Sequence, residues 1–329
     1  MTANRSSQRR TLIAGGLLGG GLLWLRAGAS WAQAAPLKIV VGFPPGGSVD
    51  IVARLIADHM RGTLNRPVVI ENKPGAGSRL GIEAVKHAAP DGNTVLLSLS
   101  GPMTLYPHVF SDLKFDVVKD FVPIAQICES DLALSVGNAV PVSTVSELRE
   151  WLRKNPSNAA YASGGSGTTL HFTGALFAQK LGLGLVHVPY KGEAPAVADV
   201  LAGAVPMTFS TVQQVSEFHR AGRLKILATT GPTRSPLLPE TLTLREAGVD
   251  MGLTTWYGLF GPAGMNPDQV RAIAAAATAA SSDPRIAEQF KKLGLTRAAA
   301  TGDELGRIQR AEMEGWGPIV KATGFTPTQ

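Results

Sequence analysis

The sequence predicts an α/β protein of two similar lobes. Three observations carry this expectation. Short apolar runs of strand length alternate with stretches of helical spacing. Three of the strands run into glycine-rich turns. Two distant segments, IVVGFPPGGS and AYASGGSGT, share one order of strand, glycine turn, hydroxyl residue and helix.

The elements follow in order. Leu37–Val41 (LKIVV) is a short apolar run, as a buried parallel strand requires. Apolar residues at 52, 55, 56 and 60 predict a helix over 49–61. Residues 68–70 read as a strand, 80–89 as a helix and 95–97 as a strand. This βαβαβ order predicts a mostly parallel sheet covered on both faces. Residues 124–136 read as extended chain. Thr144 and Glu147 form a capping-box pattern for a helix to about Lys154. Then come a strand at 159–163, a helix at Thr169–Leu181, a strand at Val186–Pro189, a helix at 195–201 and strands at 205–209 and 224–228. Asn266, Pro267 and Gln269 open one tail helix, and Asp283-Pro284 opens another that stops near Gly294. Thr301 and Glu304 suggest a second capping box, starting a last helix to about Lys321.

The chain has 329 residues, 44% hydrophobic and 17% charged, enough apolar material for a large core. Its net charge is +6, but residues 1–34 hold Arg5, Arg9, Arg10 and Arg26 and no acid. The remainder carries 27 basic against 25 acidic residues, which argues against nucleic acid as a partner. Arg9-Arg10, an apolar run at 12–25 and Ala32-Gln33-Ala34 make up a secretory signal with a twin-arginine look. Cleavage after about Ala34 and export of the rest are expected. Later segments are too short or too often interrupted to span a membrane. A single cysteine, Cys128, excludes an intrachain disulfide framework and reads as a buried small hydrophobe.

The chemistry-bearing signal is the set of glycine turns. They comprise residues 42–48 (GFPPGGS), 74–78 (PGAGS) and 163–169 (SGGSGTT). Glycines admit positive φ and close approach, and helix N-termini favour anions. Such turns sit at the carboxyl edge of strands, where ligands bind in open α/β sheets. Any one turn is also explained by capping alone, through Ser48, Ser78 or Thr168. Together they point to a carboxylate or phosphate cleft.

Other motifs fail on spacing. GAGSRLG (75–81) is GxGxxxG, one residue too long for a dinucleotide fingerprint, and the strand ending Ser98-Leu99-Ser100 lacks the ribose-binding acid. No GxxxxGK[ST] is present. The GxSxG elbow is incomplete around Ser166, leaving a secreted hydrolase using Ser166 and His171 as the enzymatic alternative. A protein-binding module is the other alternative. The six histidines form no metal-ligand spacing, so neither metal nor cofactor is expected.

At this point the motifs resemble the Bug family, the extracytoplasmic solute receptors of tripartite tricarboxylate transporters. The matching stretches are FPPGGSVDIVAR (43–54), VVIENKPGAGS (68–78), PDGNTVLLS (90–98), YASGGSGTTLHF (161–172), VPYKGEAPAVADVLAG (188–203), GRLKILATTGPTRSPLLPETLTLREAG (222–248) and WYGLFGPAGMNP (256–267). The resemblance implies a periplasmic-binding-protein type II fold. One lobe would be 36–132 plus 257–329 and the other 133–256, with crossovers near 124–136 and 252–260. It implies a non-catalytic periplasmic receptor, a monomer, for a dicarboxylate, tricarboxylate or aromatic acid. Small and large membrane subunits would be its partners, or it would sense ligand without them.

The implied ligand contacts are Phe43, Gly46, Gly47, Ser48 and Asp50 at the first turn, and Gly75, Ala76, Gly77 and Ser78 at the second. Ser98 and Ser100 close the third strand. The other lobe adds Ser163, Gly164, Ser166, Gly167, Thr168, His171, Tyr190, Lys191, Ser210 and Thr211. Three departures from the family pattern stand out. Arg79 replaces a small or amide residue and reads either as a solvated arginine or as the partner of a second ligand carboxylate. Ser210-Thr211 stands where relatives have an acid and an amide, which argues against amino-acid ligands. Ala175 replaces a frequent glutamate.

Overall fold

The computed structural model describes residues 35–326. The signal expected at 1–34 lies outside the described residues. β1 (Leu37–Val41), α1 (Ser48–Leu64), β2 (Val68–Asn72), α2 (Arg79–Lys86) and β3 (Thr94–Leu99) form the expected βαβαβ unit, with β1 parallel to both β2 and β3. A 3-10 turn at Ala76–Ser78 precedes α2. Two short helices follow that the sequence did not announce, α3 (Ser100–Thr104) and α4 (Tyr106–Val109).

β4 (Phe121–Gly137) is a single strand of 17 residues. The chain continues through α5 (Val145–Lys154), β5 (Ala160–Ser163), α6 (Thr169–Leu181), β6 (Val186–Pro189), α7 (Glu193–Leu201), β7 (Met207–Thr211), α8 (Val212–Arg220) and β8 (Leu224–Thr229). It returns through β9 (Thr254–Pro262) and ends with α9 (Pro267–Ser282), α10 (Pro284–Lys292), β10 (Leu295–Arg297) and α11 (Gly302–Ala322).

The strand order is β2-β1-β3-β9-β4-β7-β5-β6, with β8 and β10 also paired to β4. The sheet is mixed rather than mostly parallel. β5 runs parallel to β6 and β7, but β9 is antiparallel to β3 and β4, and β4 to β7 and β8. The reason is connectivity: β4 carries the chain out of the first group of strands and β9 carries it back.

β4 belongs to both halves. Its residues up to Asp131 pair with β9, and from Leu132 onward they pair with β7 and β8. The core divides at the same point. Ile124, Ile127 and Cys128 pack with Ile39, Ile56, Leu259 and Phe290, whereas Leu132 and Leu134 pack with Tyr161, Phe177 and Phe209. At the crossing, Thr230 ties three segments together. Its N–H donates to Leu132 O (2.9 Å), its Oγ1 accepts from Leu132 N (3.0 Å) and donates to Leu253 O (2.5 Å), and its carbonyl accepts from Leu253 N (2.9 Å). A further apolar contact spans the halves, joining Leu105 and Val109 to Phe172 of α6 and to Trp316 and Val320 of α11.

The caps explain where helices start. Thr144 Oγ1 accepts from Glu147 N (3.1 Å), and the Glu147 carboxylate accepts from Ser143 N (2.6 Å). Asn266 and Asp283 cap α9 and α10 through Asp268 N and Arg285 N. The capping box expected at Thr301 and Glu304 does not form: Thr301 gives α11 no side-chain cap, and Glu304 N bonds its carbonyl instead (2.9 Å). Thr301 also bridges to Ala125 of β4, so its backbone is held by the sheet. Among the described residues, no helix is long and apolar enough to cross a membrane.

Candidate functional site

The first turn is organised by its own acid. Asp50, 2% exposed, lies in the first turn of α1. Its Oδ2 accepts from Gly46 N (2.9 Å) and Arg54 Nε (2.8 Å), and its Oδ1 from Arg54 Nη2 (2.9 Å) and Asn72 Nδ2 (3.0 Å). The Arg54 bonds hold its carboxyl down at about 2. Gly46, Gly47 and Ser48 are exposed around this hub, and α1 is capped by Gly47 without a side-chain bond.

The second turn is left-handed throughout. Gly75, Ala76, Gly77 and Ser78 all have positive φ, including two residues with a Cβ. Two contacts hold it there. Tyr106 donates to Gly77 O (2.8 Å), and Gly42 packs so tightly that a Cβ on it would lie 2.6 Å from Ser78 Cβ. Gly81 is needed for the same close approach, since its Cβ would lie 2.7 Å from Gly42 Cα. This is the physical meaning of the near-miss GxGxxxG. Arg79 turns back on its own lobe: Nε donates to Ala76 O (2.9 Å), the guanidinium lies 4.1 Å from the Phe110 ring centroid, and Asp112 is 3.8 Å away.

In the third turn, Thr168 caps α6, accepting from His171 N (3.3 Å) and donating to Gly165 O (2.8 Å). Gly167 N donates to His171 Nδ1 (3.3 Å). His171 and His187 stack with centroids 3.9 Å apart, and burial pushes both down to about 4, so both are neutral at physiological pH. His187 Nε2 lies 2.7 Å from the Oγ of the fully buried Ser163. Ser166 is exposed and has no hydrogen bond to His171. The nucleophile–base pair that the hydrolase alternative requires is therefore absent among the described residues.

One cavity of about 280 Å³ brings the two halves together. From the first half it is lined by Phe43, Leu99, Gly101, Pro102, Tyr106 and Thr255. Leu132, Gly164, Thr168, Thr169, Leu170, Gly192, Glu193 and Thr211 line it from the second. The halves touch at its edge: a Cβ on Gly101 would lie 2.8 Å from Thr169 Oγ1. Phe43, Gly164, Thr168 and Thr211 of the sequence-derived set line this cavity. The others do not line it. Ser98 is buried and bonds Leu99 O (3.1 Å), while Ser100 is buried beside Glu312. Tyr190 donates to Asp199 (2.6 Å), Lys191 is exposed, and Ser210 is buried with an unpartnered hydroxyl.

Sequence reasoning missed Tyr106 and Glu193. Tyr106 sits in a four-residue helix too short for periodicity. Glu193 opens α7 directly after the Tyr190-Lys191-Gly192 segment, and that position was its only signal. Its Oε2 accepts from Thr211 N (2.7 Å) and Thr211 Oγ1 (3.1 Å), and burial pushes its carboxyl above the usual glutamate range. The case against amino-acid ligands needs correction accordingly. It rested on the absence of an acid at Ser210-Thr211, yet the fold brings Glu193 to Thr211 from another loop. Among the described residues, no cluster of three His, Cys, Asp or Glu side chains could hold a metal.

Two α/β halves joined by crossing strands, with a cavity between their turns, define a protein of the periplasmic-binding type. The chain belongs to the tripartite tricarboxylate transporter receptor family, whose model matches residues 52–325. It is 30% identical to the protein BugT of Bordetella pertussis over 293 residues, 88% of this chain and 90% of that one. The fold matches the structure of R. palustris Rpa4515 with adipate at a TM-score of 0.79 and 26% identity, covering 90% of this chain and all of the other. It also matches MatC of Rhodopseudomonas palustris with bound malate, at a TM-score of 0.73 and 29% identity, covering 87% and 99%.

Proposed function

We propose that the protein is a non-catalytic periplasmic receptor that holds one small carboxylate in the 280 Å³ cavity between its lobes. The observation that carries this reading is the cavity's composition. The third glycine turn, with Gly164, Thr168 and Thr169, faces Phe43, Gly101 and Tyr106 across it, and similar solved structures hold adipate and malate. Among the described residues no Lys, Arg or His lines the cavity, so backbone N–H groups and the hydroxyls of Thr169 and Thr255 are the donors on offer. The two halves, dividing between Asp131 and Leu132 of β4 and again just before β9, are the two bodies that close over the ligand about the β4–β9 crossing. Closure is stabilised because a ligand contacting both lobes favours the closed state.

Export through the N-terminal signal, a monomeric state and delivery to small and large membrane subunits complete the reading. The test is thermal unfolding against succinate, malate, aspartate, citrate, adipate, benzoate and nicotinate, with phosphate as control. Ligand at 100 times its Kd adds about 2.7 kcal/mol, expected to raise the midpoint by several degrees. If no carboxylate moves the midpoint, and mass spectrometry finds no retained acid, the receptor reading fails.

A further inference from the structure

Among the described residues Glu193 is the only Asp or Glu lining the cavity, and none with a cationic side chain lines it to offset that charge. It is held firmly in place. Gly164 lets it approach, since a Cβ there would lie 3.2 Å from Glu193 Cγ. Gly192 N bonds Gly164 O (3.0 Å), fixing the start of α7 against the third turn. Thr211 then donates twice, from N and from Oγ1, to the same oxygen, Oε2. Among the described residues Oε1 has no hydrogen-bond partner. Glu193 is half-buried, so Oε1 is open to water, and a ligand that displaces this water must replace its hydrogen bond.

From this geometry we propose that Glu193 is the specificity-determining residue, selecting a carboxylic acid that also carries a hydroxyl or ammonium donor. The inference rests on the receptor reading and deepens it. The ligand's carboxylate takes the backbone and threonine donors, and its second group donates to Oε1. An unsubstituted acid leaves Oε1 unpaired. A second carboxylate at that spot brings like charge against it in a site with no cation. Sites built around a ligand O–H or N–H reject the analogue lacking it far more strongly than apolar pockets discriminate size.

The experiment is calorimetric titration of the purified protein with matched triplets. Succinate, malate and aspartate form one, and glutarate, 2-hydroxyglutarate and glutamate the other. At least one substituted acid is expected to bind about 30-fold or more tighter than its parent. Comparing the hydroxy with the amino acid identifies the donor. In Glu193→Gln the amide oxygen can keep the Thr211 bonds while the NH₂ group turns a donor to the cavity. The preference is expected to fall below about threefold, with the parent acid bound no more weakly than before. Glu193→Asp, which withdraws the carboxylate by one methylene, should reduce the preference too and serves if the amide variant does not fold. A merely structural role would weaken parent and substituted acids equally, leaving the ratio intact, and that outcome overturns the proposal. So does a wild-type protein that binds the parent as tightly, although the receptor reading then survives. Binding of no acid at all overturns both.

Discussion

The first and third glycine turns share a sequence pattern and have different fates. Both follow a strand, both open a helix, and both present small residues at a sheet edge. In the first turn, Asp50 gathers Gly46, Arg54 and Asn72 around itself, so its carboxylate ties the loop to α1 and to the end of β2. Phe43 is the only one of its candidate residues that lines the cavity. In the third turn, Gly164 and Thr168 line the cavity directly, and the neighbouring α7 brings Glu193 against them. The lesson is that a glycine turn supplies backbone freedom, while the adjoining elements decide whether that freedom serves the loop or a ligand.

The largest effect is expected from removing the first turn's organiser. Asp50→Ala leaves Gly46 N without its acceptor and Asn72 Nδ2 with Phe43 O alone, and is expected to cost about 2–4 kcal/mol in urea unfolding. Because the folded carboxyl sits below its ordinary value, this contribution is full above pH 3.8 and disappears as pH falls toward about 2. A loss under about 0.5 kcal/mol at pH 7 would mean that Asp50 does not organise the turn.

The crossing between the lobes carries the opposite sign. Burial, reinforced by the charge of Glu129, pushes the Asp131 carboxyl up to about 7. Between pH 3.8 and 7 the folded state holds a proton that the unfolded chain has released, so this residue lowers stability as pH rises through that window. Asp131→Asn removes the effect. The variant should match wild type near pH 4 and exceed it at pH 8 by about 1–3 kcal/mol in melts across pH, whereas a constant difference contradicts the assignment.

A smaller effect is expected at the contact between the lobes. Gly101→Val adds bulk 2.8 Å from Thr169 Oγ1 and should weaken ligand binding about tenfold by calorimetry, through hindered closure. Unchanged affinity would mean that the lobes do not meet there in the bound state. Smallest of all, Arg79→Ala removes a guanidinium held by Phe110 and Ala76 O. It should change stability by under about 1 kcal/mol and affinity by under threefold. A larger affinity loss would return Arg79 to the ligand-pairing role its position in the sequence suggested.

Much of the fold was legible because its signals are local. LKIVV, the helical spacing over 49–61 and the Thr144, Asn266 and Asp283 caps each act within a few residues, and each element formed where expected. α3 and α4 escaped because helices of 5 and 4 residues hold too few turns for a pattern, and α8 because it follows β7 with no turn residue between. The mixed character of the sheet escaped because it depends on the course of the chain between β4 and β9, which no single segment encodes. For the site, the turns were legible and the contacts were not. Tyr106 reaches Gly77 from 29 residues away, and Glu193 meets Thr211 across 18. Pairings over such separations follow from tertiary packing, to which composition and spacing are blind.

A ligand enclosed by both halves is detected most directly by hydrogen exchange of the purified protein, with and without the carboxylate that shifts its melting point most. Joint protection is expected of the backbone around Phe43 and Gly101 on one side and Gly164 to Leu170 on the other, with α9 and α10 unaffected. Protection confined to one side, or centred away from these segments, would contradict it.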